Sequence, residues 1–204
     1  MAYPKALEEL VRAFERFPGI GRRSAERLAF HVLRDPEARE LARAIDSAVE
    51  RVRRCATCGN ATDHALCGVC SDKERDHGAI LVVEEPRQVE TLEASRAWKG
   101  LYHVLYGALN PAEGTEARHL SIQSLVARAK DPAVREVALG TDPDAEGEVT
   151  ALACLEALES LGRDDLVVTR LARGLPAGTA IEYLHKGILE DALEHRRAVR
   201  GRKR

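Results

Sequence analysis

The sequence predicts a mixed α/β protein built from several modules, and three observations carry that prediction. Apolar residues recur at helical spacing near the N-terminus, four cysteines fall into two closely spaced pairs, and from Ile80 onward short apolar runs alternate with helical patterns. We therefore expect a helical module over 1–54, a four-cysteine knuckle over 55–78, a parallel α/β sheet over 79–175 and a helical C-terminal tail over 176–204.

The composition is that of a globular protein. The chain has 204 residues, of which 45% are hydrophobic, 31% charged and only 4% aromatic, so its core should be aliphatic. No apolar run approaches the roughly 20 residues that cross a bilayer, and charged residues near the start do not resemble a signal peptide. We therefore expect a cytoplasmic protein with no membrane partner.

Charge is distributed unevenly along the chain. Residues 1–34 hold seven Lys/Arg and four acids, residues 196–204 hold six Lys/Arg and no acid, and the stretch between them has a net charge of −11. This pattern favours basic ends that meet a polyanion and an acidic middle that meets a different partner. A basic terminus that only aids solubility is the alternative for residues 196–204.

Three amphipathic helices are predicted in the first module. Apolar spacing indicates a helix over 5–17 that stops at Pro18, and a second one that continues to Leu33 before Asp35-Pro36 ends it. A third helix follows over 38–52, and its apolar face suits either a core or a contact between subunits.

The turn between the first two helices has the sequence Phe-Pro-Gly-Ile-Gly. Its glycines permit a tight turn with positive φ, Ile20 can fill the space between the helices, and the amides at the start of the second helix can hold a phosphate. These features resemble a helix-hairpin-helix motif, which grips the nucleic-acid backbone without reading sequence; the alternative is a plain helical hairpin with solvated arginines. The candidate DNA-binding residues are Gly19, Gly21, Arg22, Arg23 and Arg27.

The cysteine pattern CxxC-x8-CxxC predicts a metal site. Two such pairs supply four thiolates for one tetrahedral Zn²⁺, and this set leaves no open position for catalysis, so the ion should be structural. The surrounding segment is too short to bury a core, which means that the ion should fold it. The predicted ligands are Cys55, Cys58, Cys67 and Cys70. An iron–sulfur cluster, a redox dithiol, or His64 or His77 as a substitute ligand are the alternatives, and Cys154 is left over.

The remainder of the chain predicts alternating strands and helices. Strands are expected over 80–83, 101–105, 136–139 and 166–169, and helices over 86–96, 121–129, 147–161 and 186–195. In such sheets ligands bind at the carboxyl ends of the strands.

Acidic residues follow two of these predicted strands. Glu84, Asp142 and Asp144 supply the hard oxygen ligands that suit Mg²⁺, and their arrangement resembles the Toprim domain of topoisomerases, primases and nucleases. The alternative is an acidic loop that caps a helix without any metal.

Taken together, the motifs resemble those of the RecR family. The segments that carry the resemblance are 17–21, the two cysteine pairs, 82–86, 100–105, 146–148 and 174–183. The resemblance implies a recombination mediator without known catalysis, a ring-like homotetramer that binds single- and double-stranded DNA and acts with RecO and RecF to load recombinase at single-stranded gaps. It also implies that Arg23 and Arg27 contact DNA and that the four cysteines bind zinc.

Two departures from the family pattern bear on these expectations. Many relatives lack the first acids of the Toprim cluster, whereas this chain has both Asp142 and Asp144, which keeps Mg²⁺ open. The segment 178–180 lacks the second glycine and the serine common in relatives, which argues against a nucleotide-related role there. The competing functions are a Mg²⁺-dependent Toprim nuclease or phosphotransferase, and a zinc-stabilised structural subunit of another complex.

Overall fold

The computed structural model describes residues 3–172 and 174–196. The basic segment beyond Arg196 that the sequence analysis singled out lies outside the described residues. The chain divides into two compact units, Met1–Val52 and Arg53–Arg204, and each has a hydrophobic core of its own.

The first unit consists of three helices, α1 (Lys5–Glu15), α2 (Arg22–Val32) and α3 (Ala38–Arg51). Helices α1 and α2 pack through Val11, Ala25 and Ala29, which are fully buried, and the small alanines let the two helices approach closely. Helix α1 ends at Glu15 rather than at Phe17, because the chain already turns there toward Gly19, whose φ is 76°.

Helix α3 has an apolar face that is exposed in the part of the chain that the structure describes. None of its residues is buried, and Leu41, Ile45 and Val49 all stand open to solvent. Within the described residues, the apolar stripe predicted over 38–52 is therefore exposed and does not belong to a core.

The second unit begins with the cysteine segment. The strands β1 (Arg53–Arg54) and β2 (Ala61–Thr62) pair antiparallel, and the short helix α4 (Gly68–Ser71) carries the last cysteine. These elements were not predicted from the sequence, because pieces of two to four residues carry no periodicity.

A four-stranded sheet forms the centre of the second unit. Its strands are β3 (Asp76–Val83), β4 (Gly100–Val104), β5 (Glu136–Leu139) and β6 (Val167–Arg170). They pair in the order β4-β3-β5-β6, and every pairing is parallel. The parallel α/β sheet is thus confirmed. Strand β3 starts four residues before the predicted Ile80, because its first residues are exposed and lack the apolar signal.

Helices cover both faces of this sheet. They are α5 (Pro86–Ser95), α6 (Ile122–Ala129) and α7 (Ala145–Glu159), and α8 (Lys186–Glu194) follows near the C-terminus. Side chains of β3 alternate between the faces: Ile80 and Val82 pack in one core with residues of α6 and α7, and Leu81 and Val83 pack in the other with α5. The carboxyl ends of the strands therefore form one edge, where the acidic residues lie.

Three short 3₁₀ helices complete the described structure. They are Pro111–Glu113, Ala117–His119 and Ile181–Tyr183. Within the described residues, no helix is both long enough and apolar enough to span a membrane.

Candidate nucleic-acid interface and metal centre

The turn between α1 and α2 is a tight hairpin with an open outer surface. The Ile20 amide donates to the Phe17 carbonyl at 3.1 Å, and the Ile20 side chain packs against the core of the unit, as predicted. A methyl group built on Gly19 or Gly21 would meet nothing within 4 Å, so a ligand can approach the backbone of both residues. The hairpin therefore presents accessible backbone at the N-terminus of α2.

The two glycines of the hairpin have different backbone conformations. Gly19 has positive φ, as expected, but the same expectation for Gly21 is wrong, because Gly21 is extended with a φ of −85° and is the N-cap residue of α2. Gly21 offers no side-chain cap, so the first amides of α2 lack a side-chain acceptor. An anion placed there would gain from these amides and from the helix dipole.

Arg22 is bound within the unit by three acids. Its guanidinium lies 2.8 Å from Glu8, 3.0 Å from Glu26 and 3.5 Å from Glu15. The hydrogen bond to Glu8 raises the pKa of Arg22, and the same bond lowers the pKa of Glu8. Arg22 thus ties α1 to α2, while its predicted DNA contact stays a prediction.

Arg23 and Arg27 stand apart from that network. Both are exposed, and among the described residues neither has an acidic partner. They line a cleft of about 600 Å³ whose residues are Tyr3, Arg23, Glu26, Arg27, Phe30, His31 and Arg34. The rings of Tyr3 and Phe30 meet edge to face there, with centroids 5.6 Å apart. The cleft thus combines basic and aromatic side chains.

The structure brings the four predicted cysteines together. Their sulfur atoms all lie within 4.8 Å of one another, and all four residues are buried. The Asn60 amide donates to the Cys58 sulfur at 3.4 Å and the Cys67 amide donates to the Cys55 sulfur at 3.3 Å, an arrangement that stabilises thiolates. Four clustered thiolates with such amide donors fit one tetrahedral metal ion and are compatible with zinc.

The thiols of this cluster influence one another strongly. A hydrogen bond with Cys70 lowers the pKa of Cys58 to about 5, whereas burial raises the pKa of Cys67 to about 11. Neighbouring thiolates repel one another, so they do not all ionise readily without a metal. A bound cation offsets this repulsion and lets all four sulfurs ionise together. His64 lies against Asp63 and His77 binds the carbonyl of Asp72, so neither histidine belongs to the cluster.

The cysteine segment is anchored to the sheet. The Val104 amide donates to the Cys58 carbonyl at 2.8 Å, and the Tyr106 hydroxyl donates to the Gly59 carbonyl at 2.5 Å. The Arg54 guanidinium lies over the Tyr106 ring, 3.5 Å from its centroid. The sulfur cluster holds the knuckle together internally, and these polar contacts attach the knuckle to the end of β4.

A buried histidine of β4 and an arginine of α6 are in contact with each other. Arg128 donates to the Tyr102 carbonyl at 2.6 Å and to Nδ1 of His103 at 3.2 Å. Burial and the nearby Arg128 lower the pKa of His103 to about 4, so its ring is neutral and its Nε2–H can donate to the Ser121 carbonyl at 3.0 Å. Burial lowers the pKa of Arg128, and the four knuckle thiolates act in the opposite direction, so Arg128 is a cation beside the thiolate cluster.

The three predicted acidic ligands are neighbours at the carboxyl edge, but each has a partner in the fold. Glu84 is buried and accepts the Asp142 amide at 3.0 Å, while Asp142 accepts the side-chain amide of Gln88 at 2.8 Å. Asp144 caps α7 by accepting the Gly147 amide at 2.8 Å. Among the described residues, these three carboxylates do not form a cluster in which all three ligand oxygens lie within 4.8 Å of one another.

The electrostatics of this edge are also partly compensated. Burial raises the pKa of Glu84, and the charges of Asp142 and Asp144 raise it further. Arg170, at the end of β6, lowers it, and its guanidinium bonds to the Thr141 carbonyl at 3.0 Å and to Glu148 at 2.5 Å. The edge is thus a hydrogen-bonded loop held by one arginine.

Several residues of these sites were not predicted from the sequence. Tyr3, Phe30, Gln88, Arg128 and Arg170 were not singled out. A signal existed only for Phe30, which stands three residues after Arg27 and therefore on the same face of α2. The others come from distant parts of the chain, and a single sequence does not show which of these meet.

Two family models match the chain. One is described as the RecR helix-hairpin-helix and matches residues 7–49; the other is described as a Toprim domain and matches residues 78–172. The two matches fall on the helical hairpin and on the parallel sheet.

Curated relatives match along nearly the whole chain. The recombination protein RecR of Moorella thermoacetica is 48% identical over 198 residues, which are 96% of this chain and 98% of that protein. RecR of Pelotomaculum thermopropionicum is 44% identical and covers 97% of this chain and 98% of its own length. RecR of Bifidobacterium adolescentis is likewise 44% identical, over 98% of this chain and 99% of its own length.

Proposed function

The chain belongs to the RecR family of recombination proteins, and from that premise we propose that it binds DNA through its helical hairpin, without reading sequence, as a non-catalytic mediator of recombinational repair. The observation that carries the proposal is the pair Arg23 and Arg27, which have no acidic partner among the described residues and lie beside the N-terminus of α2, which has no side-chain cap. Guanidinium groups and backbone amides both bind phosphate, and phosphate contacts carry no sequence information. Both single-stranded and double-stranded DNA are therefore ligands of the hairpin.

The partners of this function are RecO and RecF, with which the protein loads recombinase at single-stranded gaps. The acidic stretch between the basic ends supports this part of the proposal, because a negative surface attracts a basic protein partner and does not compete with the hairpin for DNA.

The metal of the knuckle is a structural Zn²⁺ bound by Cys55, Cys58, Cys67 and Cys70. Support comes from the four buried sulfurs and their amide donors. When bound, the ion neutralises thiolate charge and holds the two cysteine pairs together. Arg128 offsets part of the remaining negative charge from the side of the sheet.

The protein assembles into a homotetramer. The exposed apolar face of α3, with Leu41, Ile45 and Val49, supports this proposal. Leu41 and Ile45 also line a groove of about 520 Å³, together with apolar side chains of α1 and α2. Apolar surfaces of this kind are common where a second subunit packs.

The competing function is Mg²⁺-dependent nuclease or phosphotransferase chemistry at Glu84, Asp142 and Asp144. The test is incubation of labelled gapped DNA with Mg²⁺ or Mn²⁺, with binding scored on the same samples, for the native chain and for the Asp142→Ala/Asp144→Ala variant. We expect both proteins to bind and neither to cleave. Metal-dependent cleavage by the native chain that disappears in the variant would establish an enzyme and overturn the mediator assignment.

A further inference from the structure

We propose that the cleft beside Arg23 and Arg27 is a subsite for single-stranded DNA, in which one unpaired base stacks on Tyr3 or Phe30 while arginines hold the adjoining phosphates. This inference rests on the proposed DNA binding and adds to it a contact that only an unpaired strand can make. We call the group Tyr3, Arg23, Arg27, Phe30 and Arg34 the aromatic cleft.

The positions on α2 place basic and aromatic groups along one face. Arg23, Arg27 and Phe30 stand at positions i, i+4 and i+7, so all three project from the same side of the helix. The rise of the helix sets Arg27 about 6 Å, and Phe30 about 10 Å, along the axis from Arg23. A strand that begins at the hairpin and follows this face thus meets two arginines and then an aromatic ring.

The two rings are open to a ligand. Tyr3 is 37% exposed and Phe30 is 36% exposed, although aromatic residues make up only 4% of the chain. Their planes are inclined at 78°. A base stacked on one ring would therefore lie nearly perpendicular to the other ring and could place its own edge against that ring's face.

The charges of the aromatic cleft favour an anion. Within the described residues, Arg23, Arg27 and Arg34 have no acidic partner. Glu26 also lines the cleft, but its carboxylate is bound by Arg22 at 3.0 Å. The unpaired guanidiniums can bind phosphate, which a neutral aromatic pocket could not do.

An unpaired nucleotide can contact both the aromatic rings and the arginines, whereas a duplex can contact only the arginines. The bases of duplex DNA are stacked inside the helix, so a duplex presents phosphates to the arginines and leaves the rings without a partner. Proteins that bind single strands combine a basic groove with aromatic side chains on which bases stack. The composition of the aromatic cleft matches that combination.

The test compares three DNA ligands by fluorescence anisotropy: a 20-nucleotide dT strand, an abasic strand of the same length, and a duplex of the same length. The variant is Tyr3→Leu/Phe30→Leu, which keeps apolar bulk and removes both rings. We expect the variant to bind the dT strand about tenfold more weakly than the native chain does, with affinity for the abasic strand and the duplex unchanged.

Two further measurements separate stacking from structural damage. A 2-aminopurine within the dT strand should be quenched on binding to the native chain and not to the double variant, and Phe30→Tyr, which keeps the ring, should behave as the native chain does. Equal weakening on all three ligands, or equal affinity of the native chain for the dT and abasic strands, would overturn the subsite.

The Arg23→Ala/Arg27→Ala variant tests the proposed function separately. It should weaken binding to all three ligands, because it removes phosphate contacts. If the native chain binds none of the ligands at low salt, the proposed DNA binding itself is wrong. If the native chain binds DNA but binds the dT strand no more tightly than the abasic strand, only the proposed aromatic cleft is wrong.

Discussion

At the residue scale, Arg22 and Arg23 show how two adjacent arginines take different roles. Arg22 is surrounded by three carboxylates that hold α1 against α2, while Arg23 faces solvent in the cleft. The sequence presents the two as equivalent members of a basic cluster. Glu8 and Glu15 on the neighbouring helix, together with Glu26 one turn further along α2, distinguish them.

Replacing Arg23 and Arg27 by Ala should therefore reduce DNA affinity without lowering stability. We expect the slope of log K against log salt for duplex DNA to fall in magnitude by about 2, because roughly one phosphate contact is lost per arginine. Binding isotherms at several salt concentrations measure this. Arg22→Ala should in addition lower the midpoint of thermal unfolding, because Arg22 bridges α1 and α2. Unchanged DNA affinity in the Arg23/Arg27 double variant would contradict the assignment.

His103 predicts a pH dependence of stability. Its pKa is lowered to about 4 in the folded chain, so the unfolded chain binds a proton more readily and stability falls as pH drops from about 6.5 toward 4. The loss should be about 3 kcal/mol when the window is crossed. Chemical denaturation of the native chain and of His103→Asn across this window measures the difference.

The comparison isolates His103 because acid acts on the thiols and carboxylates of both proteins alike. Stability should vary less with pH in His103→Asn than in the native chain. Parallel pH profiles for the two proteins would mean that His103 does not titrate with folding.

The residues of the candidate sites differ in how far the sequence could predict them. The four cysteines were predicted correctly as a cluster because their spacing is itself the geometry of a metal site. Tyr3 and Phe30 were missed because they lie on separate segments, and only folding brings their rings together. Gln88 and Arg170 were missed for the same reason: their roles depend on which strand ends are neighbours.

At the scale of elements, the knuckle and the sheet form one connected structure. The carbonyls of Cys58 and Gly59 accept hydrogen bonds from residues at the end of β4. The ion was expected to fold the cysteine segment alone. The hydrogen bonds to the sheet also order this segment. The sequence could not show this, because backbone hydrogen bonds between distant segments leave no pattern of residue types.

Cys67→Ser should abolish stoichiometric metal binding, because three thiolates and a hydroxyl form a much weaker tetrahedral site. Elemental analysis of the purified protein gives the readout. Ser71→Ala, which changes a nearby exposed hydroxyl, is the control and should retain the metal. Full retention of zinc by Cys67→Ser would show that the ligand set is different.

Helix α7 allows a test of the role of Asp144. The Asp144 carboxylate caps the helix, so Asp144→Ala should cost about 1 kcal/mol, whereas Asp144→Asn should cost little because asparagine caps nearly as well. Urea denaturation measures both. Equal destabilisation by the two substitutions would indicate that the charge of Asp144, and not its capping bond, matters.

At the scale of the whole molecule, the main unpartnered surface among the described residues is the exposed apolar face of α3. The sequence predicted the helix and its apolar stripe, and left open whether the stripe faces a core or a second subunit. Both surroundings demand the same apolar residues, so sequence alone does not separate them. The fold adds that no described residue of α3 is buried within the chain.

Ile45→Glu/Val49→Glu should reduce the assembly to a smaller species, because two carboxylates would have to be buried without partners in the contact. Light scattering coupled to size-exclusion chromatography measures the mass. Glu50→Lys, on the same helix but outside the apolar stripe, is the control and should leave the mass unchanged. A native chain that elutes as a monomer would contradict the tetramer.

The burial of the cysteines has a practical consequence for dye labelling. All five are buried, four of them in the sulfur cluster, and burial raises the pKa of Cys154 to about 12. Maleimide reagents need an accessible thiolate, so the metal-loaded chain should react as though it had no cysteine. A single Ala94→Cys substitution on the exposed side of α5 would then accept one fluorophore per subunit, with the natural cysteines left in place.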